Sequence, residues 1–338
     1  MSVRKKILFL ILFFFLIFLF IESIGFFVDY KFNLGVARFG VPMLVDSENV
    51  VKDPKLFWRF KSANVFKSRW EPAGEIKINQ QGWRDDDFQI EKPRNLKRIA
   101  LIGDSSTFGY RRRIEEIFAN IIEKKLNDMQ LNNVKWEVQN YGVPGYTIHQ
   151  GWIVLNDYAL QYNPDYVFIL FGINDSRPSP VSDAEYKVNI ISFEKYLQKL
   201  FSYKLLMSFY FKALERQKMR GFDTVRVPLD KYEEFIIEFN NNSKKNRFVF
   251  IPMTQPYRQE FANTPFAQNI KKYNQALRNV CLQNNIEFID LENEFNNYYL
   301  KNKRDLIWDA CHPDAEGNIF ISELMFEKIK AIDQKARN

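Results

Sequence analysis

Arg98-Ile99-Ala100-Leu101-Ile102-Gly103-Asp104-Ser105 is the stretch on which the reading of this chain turns. A short apolar run closed by glycine and small polar residues is the pattern of a buried strand that delivers a turn. The pattern recurs downstream. Residues 134–138 alternate as a strand and lead into Asn140-Tyr141-Gly142, and the apolar run 166–171 ends at Gly172-Ile173-Asn174-Asp175. Residues 248–251 and 286–291 read as further strands. Between them, 118–131 has helical spacing (Phe118, Ile121, Ile122, Leu126), and 148–162, the aromatic-rich 189–219, 264–284 and 316–335 also read as helices. Strands alternating with helices of this length predict a parallel sheet covered on both faces. In such sheets the reactive loops gather beyond the carboxyl ends of the strands. Each polar cluster quoted above falls there.

The chain around this block has 338 residues, 46% hydrophobic and 26% charged, which excludes a disordered or low-complexity architecture. Two cysteines exclude a disulfide scaffold or a Cys-rich zinc module, and two histidines, His149 and His312, leave little for a His-rich metal site. If catalysis needs an imidazole, only those two residues can supply it. The net charge of +7 includes Arg4, Lys5 and Lys6. The rest is too mild and scattered for a nucleic-acid face.

Residues 7–21 are uninterrupted apolar side chains, Glu22 and Ser23 interrupt them, and 24–28 resume. At about 1.5 Å per residue this segment is long enough to cross a hydrocarbon core of roughly 30 Å, with Glu22 near the far interface. The basic cluster before it predicts a cytoplasmic N-terminus. A cleaved signal peptide ending near Ser23-Ile24-Gly25 is the rival reading; the uncleaved anchor is favoured, and both export the remainder. The organisation expected is thus an anchor over 1–28, an extracytoplasmic connector over 29–93 that packs on the catalytic domain, and that domain over 94–338. Export makes a Cys281–Cys311 disulfide possible without specifying it.

Acyl transfer requires a nucleophile, a base, a group orienting the base, and donors for the developing oxyanion. Ser105 follows a strand directly, and Gly103 permits the sharp turn that exposes a serine's hydroxyl and amide. Asp309-Ala310-Cys311-His312 places an acid and a histidine three residues apart, so one imidazole nitrogen can meet the carboxylate while the other faces Ser105. Gly142 can offer an unhindered N–H, and Asn174 a side-chain amide. Read on their own, Ser105 could be a helix-capping turn serine and Asn174-Asp175 a turn pair. His149 reads as structural, Asp104 and Asp175 as turn-stabilising.

Gly103-Asp104-Ser105, Gly142, Gly172-x-Asn174-Asp175 and Asp309-x-x-His312, in that order, resemble the blocks of SGNH (GDSL-type) hydrolases over about residues 95–335. The resemblance implies a flavodoxin-like three-layer α/β/α sandwich with a five-stranded parallel sheet and no cofactor. It also implies Ser105 as nucleophile, His312 as base, Asp309 as its orienter, and an oxyanion hole from the Ser105 amide, the Gly142 amide and Asn174. Asn79-Gln-Gln-Gly82-Trp83-Arg84 and Gly142-Val-Pro-Gly145-Tyr-Thr147 are similar to blocks of one subset of that family. Tyr110-Arg111-Arg112-Arg113 departs from the proline-containing segment many relatives carry. Arg84 and Arg111 are accordingly candidate substrate-binding residues, and no metal is expected. The function implied is hydrolysis of an acyl ester on a small molecule, lipid or glycan, as an esterase or lipase, with the membrane as the other partner and no nucleic acid. The alternatives are an O-acyltransferase acting on an exported polysaccharide and a catalytically silent carbohydrate-binding scaffold.

Overall fold

In the computed structural model, residues 2–32, 49–67, 73–130, 134–179, 181–186 and 224–335 are described, with 197, 200–203, 205–206 and 209. Of the helix expected over 189–219, residues 197, 200–203, 205–206 and 209 are described, and the rest lies outside the described residues. The chain divides into two compact units, one of Met1–Trp58 with Lys187–Gly221 and one of Arg59–Tyr186 with Phe222–Asn338.

The first unit holds helix α1 (Val3–Phe32), continuous through Glu22 and Gly25, and strand β1 (Val50–Asp53). An 18-residue window within Val3–Val28 of α1 has mean hydropathy 3.0, and the helix is long and apolar enough to cross a membrane.

Strand β2 (Phe57–Phe60) runs across the boundary into the second unit, where β3 (Asn64–Lys67) and β4 (Glu75–Ile78) pair antiparallel. The main sheet comprises β5 (Leu96–Gly103), β6 (Lys135–Gly142), β7 (Tyr166–Leu170) and β8 (Val249–Met253), all parallel, in the order β6-β5-β7-β8. Side chains alternate across the sheet because a strand's period is two. Ile99, Leu101, Val138, Phe168, Leu170, Ile251 and Met253 face one way and pack against α3 (Phe118–Asp128) and α8 (Ala315–Lys335) through Phe118, Ile122, Ile321 and Met325. The opposite face is covered by α4 (Ile148–Val154), α5 (Leu229–Asn246) and α6 (Pro265–Gln283); Phe239 of α5 stacks on Phe250 of β8 with centroids 5.4 Å apart. The result is the three-layer sandwich that the alternation implied.

The sheet has four strands among the described residues, not five. Residues 286–291 make one parallel bridge, Ile289 to Met253, with Thr254 N and Ile289 N each bonded across. Helix α7 (Leu291–Asn302) starts at once, because Asp290 caps it at Asn293 N and is itself held by Thr254 and by both Arg278 Nε and Nη2. A residue committed to an N-cap cannot continue a strand. Helix α5 was not legible as a helix: its buried face is Tyr232, Ile236, Phe239 and Ser243, but the adjacent Phe235 and Ile237 blur the period.

Candidate active site

Register brings the reactive segments together. Gly103 pairs with Gly142 on one side and Leu170 on the other, so β5, β6 and β7 end level and their loops share one edge. Helix α2 (Ser105–Phe108) begins immediately after β5, capped by Asp104, whose Oδ1 accepts the Ser106 N–H at 2.9 Å. As the first helical residue, Ser105 has an amide with no intrahelical acceptor. Gly142 is required by close approach: a Cβ there would stand 2.3 Å from Phe108 N and 2.5 Å from the Thr107 carbonyl carbon.

Ser105 and His312 are both buried, and His312 Nε2 lies 2.8 Å from Ser105 Oγ. On the other side of the ring, His312 Nδ1 is 2.6 Å from Asp309 Oδ2. The same aspartate's Oδ1 accepts the N–H groups of Cys311 (2.9 Å) and His312 (2.8 Å), which locks the loop into the shape that aims the imidazole. Burial disfavours the imidazolium, but the neighbouring Cys311 and the Asp309 carboxylate outweigh it, and His312 titrates above its ordinary value. Burial also pushes Asp309 up, and the His312 contact with two backbone N–H groups reverses that, leaving it below the usual aspartate range.

The remaining donors are engaged within the protein. Gly142 N–H is donated to Asn140 Oδ1 at 2.9 Å, and Asn174 Nδ2 donates to Asp104 Oδ2 and to the Tyr146 carbonyl, both at 3.0 Å. Asp104 thus ties the Ser105 turn to Asn174, and burial raises it to about 6. Asp175 is a turn residue, accepting Ile148 N (2.8 Å) and Gly172 N (2.9 Å); burial raises it to about 7. His149 stands edge-on to Phe235 at 5.7 Å, outside this network.

Arg84 corrects an expectation. It is 2% exposed, and it donates to the carbonyls of Phe108 (3.1 Å), Gly109 (2.8 Å) and Arg112 (2.7 Å) while lying over the Phe108 ring. A guanidinium enclosed by three carbonyls is a clamp on the end of α2, not a group that meets substrate. Burial lowers its pKa to about 10, with Glu115 opposing, so it stays charged. Arg111 is nearer the reacting groups. Its guanidinium lies 4.6 Å over the Trp308 ring, and Trp308 and Tyr110 flank His312 with centroids 6.2 and 4.6 Å away.

Sequence reasoning missed Asp85, Asn140, Tyr110 and Trp308. Asp85 Oδ2 accepts Asn140 N, and Asn140's side chain then bridges the Thr107 carbonyl and Gly142 N. Burial raises Asp85 to about 8. The only signal was its place directly after Arg84. Asp309, Cys311 and His312 also bring three potential ligand atoms within 4.8 Å of one another. Both imidazole nitrogens are occupied by Asp309 and Ser105, however, so a hydrogen-bonded relay accounts for the cluster. Cys281 and Cys311 are both free and buried.

The family model for GDSL-like lipases and acylhydrolases matches residues 101–318, from the core of β5 into α8. The chain belongs to that family. As an acylhydrolase it is an ester-bond hydrolase. No curated protein matches its sequence. Among solved structures, the acylhydrolase is similar to an acetyl xylan esterase at 20% identity and a TM-score of 0.48, covering 68% of this chain and 98% of that one. It is similar to a lipase/acylhydrolase from Enterococcus faecalis at 20% identity and a TM-score of 0.49, covering 70% and 96%. An acetylxylan esterase from Geobacillus stearothermophilus, solved as a catalytic mutant, matches at 20% identity and a TM-score of 0.48, covering 69% and 94%.

Proposed function

We propose that this acylhydrolase is a membrane-anchored serine esterase whose catalytic domain lies outside the cytoplasm, and that Ser105, His312 and Asp309 perform the reaction. The observation that carries the reading is the unbroken relay from Ser105 Oγ through His312 to Asp309, at 2.8 and 2.6 Å. Those are the distances a nucleophile, its base and the base's orienter need.

Ser105 Oγ attacks the ester carbonyl carbon, and its proton passes to His312 Nε2. The negative charge developing on the carbonyl oxygen faces the Ser105 and Gly142 amides and Asn174 Nδ2. Because the Gly142 N–H and both Asn174 amide hydrogens are bonded internally, the Gly142 bond to Asn140 and one Asn174 bond, to Asp104 or Tyr146, are exchanged for the oxyanion as charge builds. Collapse breaks the C–O bond to the alcohol, which leaves with the proton from His312. Water then attacks the acyl-enzyme, gives its proton to Nε2, and releases the carboxylic acid as Ser105 recovers its hydrogen.

Intact-mass analysis of the full chain after exposure to a fluorophosphonate tests this. One adduct on the wild type and none on Ser105→Ala is expected. An unmodified folded wild type, or an adduct retained by Ser105→Ala, overturns the assignment.

A further inference from the structure

Toward its far end helix α1 carries Glu22 and Gly25, and both serve the same neighbour within the first unit. The Glu22 carboxylate accepts the backbone N–H groups of Phe201 (2.8 Å) and Ser202 (2.9 Å), together with the Ser202 hydroxyl. One turn on, the missing side chain of Gly25 admits Phe201: a Cβ there would stand 2.7 Å from the Phe201 carbonyl carbon and 2.9 Å from its Cβ. Phe26 meets the Phe201 ring edge-on at 5.2 Å. Gly25 is buried although its neighbours on either side are exposed. A carboxylate on a membrane helix is costly unless its charge is satisfied, and here three donors satisfy it. At about 1.5 Å per residue, Glu22 lies roughly 22 Å along the helix from Ile7, where the apolar run starts, toward the far side of a hydrocarbon core of about 30 Å.

The segment held there has an unusual composition. Lys187–Gly221 contains eight Lys or Arg against two acids, so its surplus of six is most of the chain's +7. It also contains seven Phe or Tyr. Residues 201–203, 205–206 and 209 are helical, and Leu206 and Phe209, three apart and therefore on one face, are each 64% exposed. Aromatic and leucine side chains exposed within a segment of cationic sequence are the chemistry of a segment lying in the headgroup layer of a bilayer.

We infer that the segment around residues 201–209 is an interfacial element. It is docked on α1 by Glu22 and Gly25, and it rests with Leu206 and Phe209 in an anionic lipid surface. The inference rests on the anchor reading of α1. It also makes α1 through Gly25 part of the folded protein rather than a piece to be removed.

The test is collisional accessibility of spin labels on the full chain in nanodiscs of phosphatidylcholine with phosphatidylglycerol. Labels go at Leu206→Cys and Phe209→Cys, with Leu16→Cys in α1 as reference and the parent chain, whose two cysteines are buried, as background. Labels at 206 and 209 should be relaxed more by oxygen than by a water-soluble nickel chelate, and that preference should weaken without phosphatidylglycerol. Nickel dominance at 206 and 209 while 16 stays oxygen-dominated overturns the interfacial element alone. Nickel dominance at 16 overturns the anchor and the inference with it. Protection of 206 and 209 from both reagents assigns the face to protein and overturns the lipid contact. Adding Glu22→Ala should move the 209 label toward the chelate; unchanged accessibility there overturns docking by Glu22.

Discussion

At the scale of single residues, the site depends on which atom each group is offered. His312 has one nitrogen on Asp309 and one on Ser105, so His312→Ala should abolish ester turnover while His149→Ala keeps most of it; steady-state rates on a chromogenic ester check this. With Asn174 as an oxyanion donor, as proposed, Asn174→Ala should lower kcat by about 10²–10³, or ~2.7–4 kcal/mol. The sign of the pH dependence follows from the imidazole. His312 must be neutral to accept the serine proton, and its folded-state value is raised. The acid limb of kcat/KM should therefore lie above the ordinary histidine value of about 6.5. Asp309→Asn should move that limb down while reducing the rate. A limb unmoved by Asp309→Asn would separate the aspartate from the base.

At the scale of elements, the short helix α2 is the part most in need of support. Four residues cannot hold a helix by propensity alone. Its N-terminus is capped by Asp104, its C-terminus is gripped by Arg84, and Phe60 stacks on Phe108 at 5.3 Å. Arg84→Leu removes three hydrogen bonds from a charged donor, each worth roughly 1.5–3 kcal/mol, and strands the carbonyls they satisfied. A loss of at least ~3 kcal/mol in urea unfolding is expected, together with a fall in kcat larger than any change in KM. Arg84→Lys should recover only part of both, because one ammonium cannot reach carbonyls spread over Phe108, Gly109 and Arg112. If Arg84→Leu instead raised KM alone, the clamp would be the wrong description.

At the scale of the whole molecule, the buried Asp104 and Asp175 and the half-buried Asp85 make stability depend on pH. Burial raises Asp104 to about 6, Asp175 to about 7 and Asp85 to about 8. An unfolded aspartate titrates near 3.9, so between about pH 4 and 8 the folded state binds more protons than the unfolded state. Stability is then fully present below about pH 4 and declines as pH rises from there to about 8. The raised His312 acts in the same direction. Thermal midpoints measured between pH 5 and 9 should fall toward the alkaline end. Asp85→Asn, which keeps an acceptor for Asn140 N, should flatten the upper part of that decline; an unchanged slope would show that Asp85 does not titrate there.

Much of this molecule was legible along the chain. The parallel sandwich followed from apolar runs alternating with helical periods. The meeting of Ser105 with the Asp309–His312 pair was expected from their places just after a strand and in one short loop, and hydrogen bonds join them. The apolar helix at the N-terminus declared itself by length alone. What a linear reading could not supply were contacts between residues far apart in sequence. Arg84 looked like a substrate ligand until Phe108, Gly109 and Arg112 were seen to close around it. The fifth strand shrank to one bridge because Asp290 is claimed by Thr254, Arg278 and the start of α7. Glu22, an interruption in an apolar run, became a docking point only when Phe201 and Ser202 arrived beside it. Local sequence determined periodicity, strand ends and residue chemistry, since these depend on neighbours in the chain. The tertiary structure decided which polar group each side chain satisfies, because a buried donor or charge takes its partner from whatever the fold brings within reach.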